Sequence, residues 1–203
     1  RETNFLLGYH DKFQAWPGMY TGFASLPETD RTKLGLAVLD HRWTTAQGWW
    51  EVGSAYRWLE NDYDFDSRTQ ETGTPGSFEH ETRNFSLAIS GLHRSGNWDW
   101  HLNGQFTADR LVQTTHLTYG DFNTRSFGMV SIAPGRSWRL ESGADLSIRA
   151  GLRADISNRD ENALSPVFAV SLEQAAGSGL NRYRLDYSEA TQLPGYTALN
   201  SRP

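Results

Sequence analysis

Three aspartates recur at every second position in one segment and could together bind a cation. Asp62, Asp64 and Asp66 are spaced like the oxygen ligands of a calcium-binding loop. The EF-hand pattern also needs a glycine after the third acid and a glutamate near the end of the loop, but Ser67 and Gly73 occupy those positions. We therefore interpret the segment as a solvated acidic loop, and a calcium-ordered loop that preorganises a ligand site is the alternative.

A second candidate for chemistry is His101, with Asp99 or Asp109 as an acid–base partner. All three occupy alternate positions of one predicted strand, where residues two apart lie about 7 Å apart and seldom form a proton relay. No metal-ligand spacing of histidines, nucleophile elbow, P-loop or dinucleotide fingerprint occurs in the sequence. We predict that the chain is not an enzyme and that it holds no cofactor.

The strand around His101 has one apolar and one polar face. Its apolar positions are Trp98, Trp100, Leu102, Phe106 and Ala108, and polar residues alternate with them. The run from Ala144 to Ser157 repeats this alternation. Long strands with aliphatic residues on one side and charges on the other are typical of a transmembrane barrel with a polar lumen.

The alternation predicts nine strands with short and long connections in turn. The predicted strands are 3–10, 32–42, 49–60, 80–92, 98–109, 123–133, 142–156, 165–174 and 181–190. The predicted short turns are Thr44–Gly48, His93–Asn97, Pro134–Glu141 and Ala175–Leu180. The predicted longer connections are Asp11–Arg31, Asn61–His80, Arg110–Phe122, Ser157–Leu164 and the segment from Glu189. In an up-and-down meander this places the tight turns at one end and the long loops at the other.

Two segments do not choose a face. In one, Leu34, Leu36 and Val38 compete with Gly35, Ala37 and Leu39, and in the other the run Phe127–Ile132 has no clear alternation. Most tryptophans lie near the predicted short turns, whereas Tyr56, Trp58 and Tyr187 approach the long-loop end, which gives two aromatic belts. The alternative is that these aromatics form the core of a soluble β-sandwich, because sandwich strands also alternate.

Composition excludes several classes. Hydrophobic residues make up 37% of the 203 residues, the mean hydropathy is −0.61, and no run of about 20 apolar residues could form a membrane-spanning helix. The formal charge of −5 argues against a nucleic-acid partner. The chain has no cysteine for disulfides or thiolate metal sites. Because no initiator methionine or signal peptide precedes Arg1, we expect an internal fragment of a longer protein.

Two neighbouring segments near the C-terminus carry a family resemblance. Ala163 to Leu172 contains a Leu-Ser-Pro strand start, and Tyr183 to Tyr196 contains Tyr-Ser-Glu, a few further residues and a proline. Together they resemble the barrel of TonB-dependent outer-membrane receptors, and the segment from Gly8 to Thr21 also looks like a strand and loop of that family. A complete receptor of this kind is implied to have a plug domain, a TonB-contacting segment and about 22 strands.

The resemblance implies an all-β fold: an antiparallel up-and-down transmembrane β-barrel, incomplete, with residues 1–203 as about nine strands of a larger barrel. It implies a location in the outer membrane of a Gram-negative cell and uptake of a bulky scarce nutrient, such as an iron chelate or a cobalamin-like compound. The implied partners are outer-membrane lipid, the nutrient, and the plug domain and TonB complex through the missing part. The alternatives are a soluble all-β binding or adhesin module and an outer-membrane β-barrel enzyme.

Aromatic residues of the predicted long loops are the candidate ligand contacts, because they could stack on or enclose a bulky ligand. The alternative is that they pack loop against loop. These residues are Phe13, Trp16, Tyr20, Tyr63, Phe65, Tyr119, Phe122 and Tyr196.

Overall fold

The computed structural model describes residues 1–17, 27–64, 77–114, 122–177 and 179–190. These residues form strands and no helix, so none of them belongs to a helix that could cross a membrane. The strands are β1 (Glu2–Pro17), β2 (Pro27–Thr45), β3 (Gly48–Asp64), β4 (Ser77–Ser95), β5 (Trp98–Thr114), β6 (Thr124–Arg139), β7 (Asp145–Ser157), β8 (Ala163–Ala176) and β9 (Gly179–Ser188).

All nine strands belong to one antiparallel sheet in which every strand pairs with its neighbour in sequence. Within the described residues the sheet is open, because β1 pairs only with β2 and β9 pairs only with β8. The predicted all-β meander of nine strands is therefore confirmed.

Most of the connections alternate in length as predicted. One end of the sheet has short turns at 46–47, 96–97, 140–144 and 177–178. The other end has the longer connections 18–26, 65–76 and 115–123, and also 158–162, which is only as long as 140–144. We refer to these as the short-turn end and the long-loop end.

The predicted turn at Pro134–Glu141 is wrong in its start. Pro134 and Gly135 lie inside β6, where they pair with Trp100 and Asp99 of β5. The turn forms later, where Gly143 adopts φ 80° and its amide donates to the carbonyl of Leu140 at 2.9 Å. A glycine in the left-handed region closes the turn, so the Pro-Gly pair is not needed there.

The strands are also longer than predicted at the long-loop end. The first strand reaches Pro17, the second starts at Pro27, the third reaches Asp64 and the fifth reaches Thr114. The alternation of apolar and polar residues ends before the backbone pairing does. Sequence periodicity therefore underestimates how far the ladder of hydrogen bonds continues.

The pairing register divides the side chains into two faces. His101, Ser90, Asn103 and Ser131 belong to one face, which we call the polar face, whereas Leu102 belongs to the other, which we call the apolar face. The apolar face carries aliphatic and aromatic residues of every strand, including Phe5, Leu39, Val52, Leu87, Phe106, Ile132, Leu152, Phe168 and Leu185.

The register also decides the two ambiguous segments. Leu34, Leu36 and Val38 share the polar face with Asp40, whose partner in β3 is Gly53. The smaller Gly35, Ala37 and the exposed Leu39 take the apolar face. In β6, Phe127, Met129 and Ser131 lie on the polar face and Gly128, Val130 and Ile132 on the apolar face.

The sheet curves toward its polar face. A cavity of about 320 Å³ on that face is lined by His101 of β5 and by Arg182 and Arg184 of β9. Strands four positions apart in a flat sheet would be separated by about 19 Å. Their shared cavity therefore indicates that the polar face is concave.

Gly151 permits a close approach between two strands. A Cβ atom there would lie 2.0 Å from the carbonyl oxygen of Ile132 and 2.5 Å from the Cα of Ala133. Both contacts involve backbone, so a larger residue would have to displace β6 from β7. At Gly128, by contrast, the nearest atom to an added Cβ would be 4.0 Å away.

We expect Gly151→Ala to lower the free energy of unfolding by about 1–3 kcal/mol, because overpacking forces the backbone apart. The matched control Gly128→Ala should be neutral or raise it by up to about 1 kcal/mol, since alanine has less backbone entropy to lose. Urea titration followed by tryptophan fluorescence measures both. Equal effects of the two substitutions would contradict the close approach.

Candidate functional site

Charged side chains on the concave polar face are paired with each other, both across strands and within one strand. Asp109 accepts hydrogen bonds from Asn84 of β4 and Arg125 of β6, which joins three strands. Asp155 is buried and accepts from Nε of Arg153 at 2.8 Å. Paired charges can be retained on a partly enclosed surface because each partner reduces the cost of removing the other from water.

The cavity near β9 is the most basic part of this face. Arg182 pairs with Glu173 at 2.6 Å, and Arg184 contacts Asp186 through Nε at 2.5 Å and through its terminal nitrogen at 2.8 Å. Arg149 lies 4.0 Å from the same Asp186, and its Nε has no hydrogen-bond partner in the described chain. With three arginines against two carboxylates, the cavity has a positive excess.

An apolar patch interrupts the polar face near the other edge. Leu6 of β1 pairs with Val38, and Leu34 pairs with Leu59 of β3. Leu36 lies between Leu34 and Val38 on the same face. The concave face therefore combines a charged surface on β4–β9 with an aliphatic patch within β1–β3. Such a face can contact a ligand that has both polar and apolar parts.

On the apolar face, the side chains become charged beyond one row of paired residues. Tyr9, Gly35, Trp58, Arg83 and Arg110 form one row of paired residues across β1 to β5. Toward the long loops from this row, the same face carries the residues that we call the charged rim. They are Asp11, Arg31, Lys33, Glu60, Asp62, Glu79 and Glu81.

Ion pairs cross between neighbouring strands within this rim. Arg31 binds both carboxylate oxygens of Asp11 at 3.0 and 2.7 Å, and Lys33 contacts Glu60 at 2.5 Å. Trp58 donates its indole N–H to Glu81 at 3.1 Å. The charged rim thus begins at the hydrogen bond between Trp58 and Glu81.

Two carboxyls of the rim, both beyond the apolar residues, have pKa values shifted in opposite directions. Hydrogen bonding to Arg31 lowers the pKa of Asp11, and its charge adds to the effect. Burial raises the pKa of Asp62, and the negative charges of Asp64 and Glu60 raise it further. Lys33 and Arg31 offset this repulsion at Asp62 only in part, because its pKa remains raised, whereas Asp11 is stabilised by its partner.

Three of the candidate ligand-binding aromatics are placed differently from the prediction. Phe13, Trp16 and Tyr63 lie within strands β1 and β3, not in loops, because the strands extend further than expected. Phe13 is exposed on the apolar face, while Tyr63 lies on the polar face and donates to Glu28 at 2.9 Å. Tyr20, Phe65, Tyr119 and Tyr196 lie outside the described residues.

Phe122 precedes β6, and the guanidinium of Arg159 lies over its ring, 4.5 Å from the centroid. The structure thus places the described members of this set on different surfaces. It does not bring Phe13 and Tyr63 together.

The other two sequence candidates also separate. Asp62 and Asp64 share one face of β3, and Asp66 lies outside the described residues. Within the described ranges, no group of three or more acidic or histidine side chains is arranged to hold a metal. Asp99 contacts Arg94 of β4 at 3.5 Å, and Asp109 forms an ion pair with Arg125 of β6.

Sequence reasoning missed the charged rim. Asp11, Arg31 and Asp62 were placed at predicted loop boundaries, where charge is expected and carries no signal. Asp11 lies two positions after Tyr9 and Asp62 four positions after Trp58, and this even spacing was the available sign that the strands continue. No protein-family model, no curated protein and no solved structure matches this chain.

We expect Asp62→Asn and Asp11→Asn to change stability at pH 7 in opposite directions. Because the pKa of Asp62 is raised on folding, its ionisation costs stability above that pKa, so the amide should stabilise the fold. Because the pKa of Asp11 is lowered, its ionised form contributes stability that is lost as pH falls through the folded pKa, so Asp11→Asn should destabilise.

Urea unfolding from pH 7 to well below 3.8, the ordinary aspartate pKa, tests this pair, because the lowered pKa of Asp11 lies beneath that value. Both differences from the parent chain should shrink as the pH falls, since each carboxyl is then neutral like the amide. Effects of the same sign at pH 7 would be incompatible with the assigned environments.

Proposed function

We propose that this chain forms part of the wall of a transmembrane β-barrel in the outer membrane of a Gram-negative cell. By its resemblance to TonB-dependent receptors, the parent protein takes up a bulky scarce nutrient such as an iron chelate or a cobalamin-like compound. In this proposal the apolar face contacts lipid and the concave polar face lines the lumen. The long-loop end is extracellular and the short-turn end is periplasmic.

The observation that carries the proposal is the uncovered apolar face. Among the described residues, the buried hydrophobic side chains are only Leu92, Leu111, Ala133 and Ala144. Large apolar side chains such as Leu7, Val130 and Leu185 are 63–68% exposed. A soluble sheet must bury such a face against a second layer. The described residues form one sheet, whereas a sandwich adhesin needs two.

The length of the apolar face along a strand fits a bilayer. Along β3 it runs over the nine residues from Trp50 to Trp58, and a tilted transmembrane strand needs about 9–11. Outer-membrane barrels have an apolar band bounded by aromatic girdles. Trp50 and Trp100 mark the short-turn border, and Tyr9 and Trp58 mark the long-loop border.

Both borders run obliquely across the register, which supports tilted strands. Trp50 lies in one row with Leu102 and Ile132. In β5 the border aromatic Trp100 lies two residues closer to the short turns than Leu102. In β6 the border aromatic Trp138 lies six residues closer to them than Ile132.

The long-loop border moves in the same direction. On β3 it is Trp58, on the long-loop side of Trp50's row. On β9 the long-loop border is Tyr187, whose row of paired residues contains Phe168 and Ala150. That row lies on the short-turn side of the row of Trp50. Closing a sheet into a barrel requires strand tilt and a staggered register, so parallel drift of both borders favours a barrel wall.

The two parts of the concave face suggest how such a lumen handles its ligand. The arginine-rich cavity near β9 would attract anionic groups, and the aliphatic patch around Leu36 would contact apolar ones. The resemblance implies that capture at the extracellular side is followed by displacement of a plug domain, powered by the TonB complex. The residues of this chain supply wall and lining in that sequence of events.

Lipid insertion is tested directly with the tryptophans of the two borders. The purified chain should stay monodisperse only in detergent and should float with phosphatidylcholine vesicles. Lipids brominated near their headgroups should quench its tryptophan fluorescence more strongly than lipids brominated at the chain ends. A monodisperse protein in plain buffer that does not float with vesicles would contradict the proposal.

Adjacent residues of β4 give the sharpest mutational test. Ile89 is 43% exposed on the apolar face, and Ser90 lies on the polar face opposite Glu51 and Asn103. In vesicles, Ile89→Arg should lower the free energy of unfolding by about 2–4 kcal/mol, the cost of a charge near the bilayer midplane. Ser90→Arg introduces the same residue beside Glu51 and should be mild. A larger cost at position 90 would mean that the two faces are exchanged.

A further inference from the structure

We propose that the apolar face carries a binding site for the phosphate group of an anionic membrane lipid, at its long-loop border on β4, β5 and β6. This inference rests on the proposed function, because the site is useful only if that face contacts a bilayer. Arg83, Arg110 and Arg159 would bind the phosphate, and a depression beside Phe85 and Ala108 would hold the start of an acyl chain.

Two arginines stand directly opposite each other at this border. Arg83 of β4 is the register partner of Arg110 of β5. Like charges opposite each other in a sheet are destabilising unless an anion lies between them. Arg83 already pairs with Glu81 at 2.9 Å, whereas Arg110 has no hydrogen bond or ion pair to the part of the chain that the structure describes. One positive charge of the pair is therefore uncompensated.

A third guanidinium extends the row. Thr124 of β6 is the register partner of Arg110. Arg159 donates from Nε to the carbonyl oxygen of Thr124 at 2.7 Å and from its terminal nitrogen to the hydroxyl at 3.2 Å. These bonds leave the charge of Arg159 without a carboxylate partner in the described chain. Three guanidinium groups thus follow one another along the border, with Glu81 as their one paired carboxylate.

An apolar depression lies next to these cations, toward the middle of the sheet. It has a volume of about 380 Å³, and its lining includes the apolar Tyr56, Phe85 and Ala108 and the cations Arg83 and Arg110. Asp109 also lines it, but this carboxylate is already paired with Arg125. Small residues form its floor, because Ala108 pairs with Ser126 and the next row on that side contains Gly128. Larger apolar side chains, Phe106 and Ile156, flank that glycine.

The combination fits a lipid better than a soluble anion. Guanidinium groups bind phosphate oxygens through several parallel hydrogen bonds, and the depression offers apolar surface immediately below them. In the proposed membrane orientation the arginines lie at headgroup depth and the depression lies at the level of the first acyl carbons. A free phosphate would use only the cations and would leave the apolar surface exposed to water.

Trp58 provides a local probe of the site, since it lies in the same row as Arg83 on the next strand. The full chain is inserted into phosphatidylcholine vesicles that contain either brominated phosphatidic acid or brominated phosphatidylcholine. The quenching of Trp58 is obtained by subtracting the signal of Trp58→Phe in each background. The ratio of the two quenching constants measures selectivity for the anionic lipid at this position.

We expect phosphatidic acid to be preferred at Trp58, and Arg110→Gln to reduce that preference about fivefold, the effect of one arginine at a lipid surface. Arg136→Gln is the matched control. Arg136 also lies on the apolar face, but its register partner is Ile148 and its guanidinium lies over the ring of Trp138. It should leave selectivity at Trp58 unchanged. In pure phosphatidylcholine, Arg110→Gln should not destabilise the chain, since it removes a like-charge contact.

Three results would overturn the site while leaving the proposed function intact: insertion with equal quenching by both lipids, equal effects of Arg110→Gln and Arg136→Gln, or loss of the preference when excess inorganic phosphate is added. Failure of the chain to insert into either kind of vesicle would instead overturn the proposed function, and the lipid site with it.

Discussion

The structure depends on an unbroken ladder of antiparallel backbone pairing from β1 to β9. Side chains alternate between faces with a period of two, so the register of each pair assigns every residue to one solvent or the other. A slip by one residue between any two strands would exchange Ile89 with Ser90 and would place charges among aliphatic residues. Short turns and close contacts such as Trp50 against Gly91, where an added Cβ would lie 2.3 Å from the indole ring, hold that register.

The two faces stabilise the sheet in different ways. On the concave face, polar groups bind one another across strands, as in the contacts of Asp109 with Asn84 and Arg125. The apolar face has no comparable cover, and the described chain contains little buried hydrophobic core of its own. Its stability therefore depends on what contacts that face. In the proposed membrane setting, lipid chains cover the apolar face, as a second layer of secondary structure does in a soluble domain.

The ladder of backbone pairing also continues beyond the apolar band. Past Tyr9 and Trp58 the outward face turns into a network of ion pairs, including Arg31 with Asp11 and Lys33 with Glu60. This rim extends the wall beyond the membrane in the proposed orientation. In that orientation, Arg83 and Arg110 at the border of the rim would face the headgroup layer, and the concave face has separate cations near β9.

The sequence by itself determined the strands, their number, the alternation of turn lengths and most of the face assignments, because a period of two is visible wherever one face is apolar and the other polar. It could not decide the face of Leu36 or Val130, since the segments around them do not alternate clearly between apolar and polar residues and only the register with β3 and β5 assigns the faces. It also ended the strands too early and put Phe13 and Tyr63 in loops. Opposition of Arg83 and Arg110, which lie 27 residues apart in sequence, was likewise decided only by tertiary pairing, because local sequence carries no information about which distant residue will lie across the ladder.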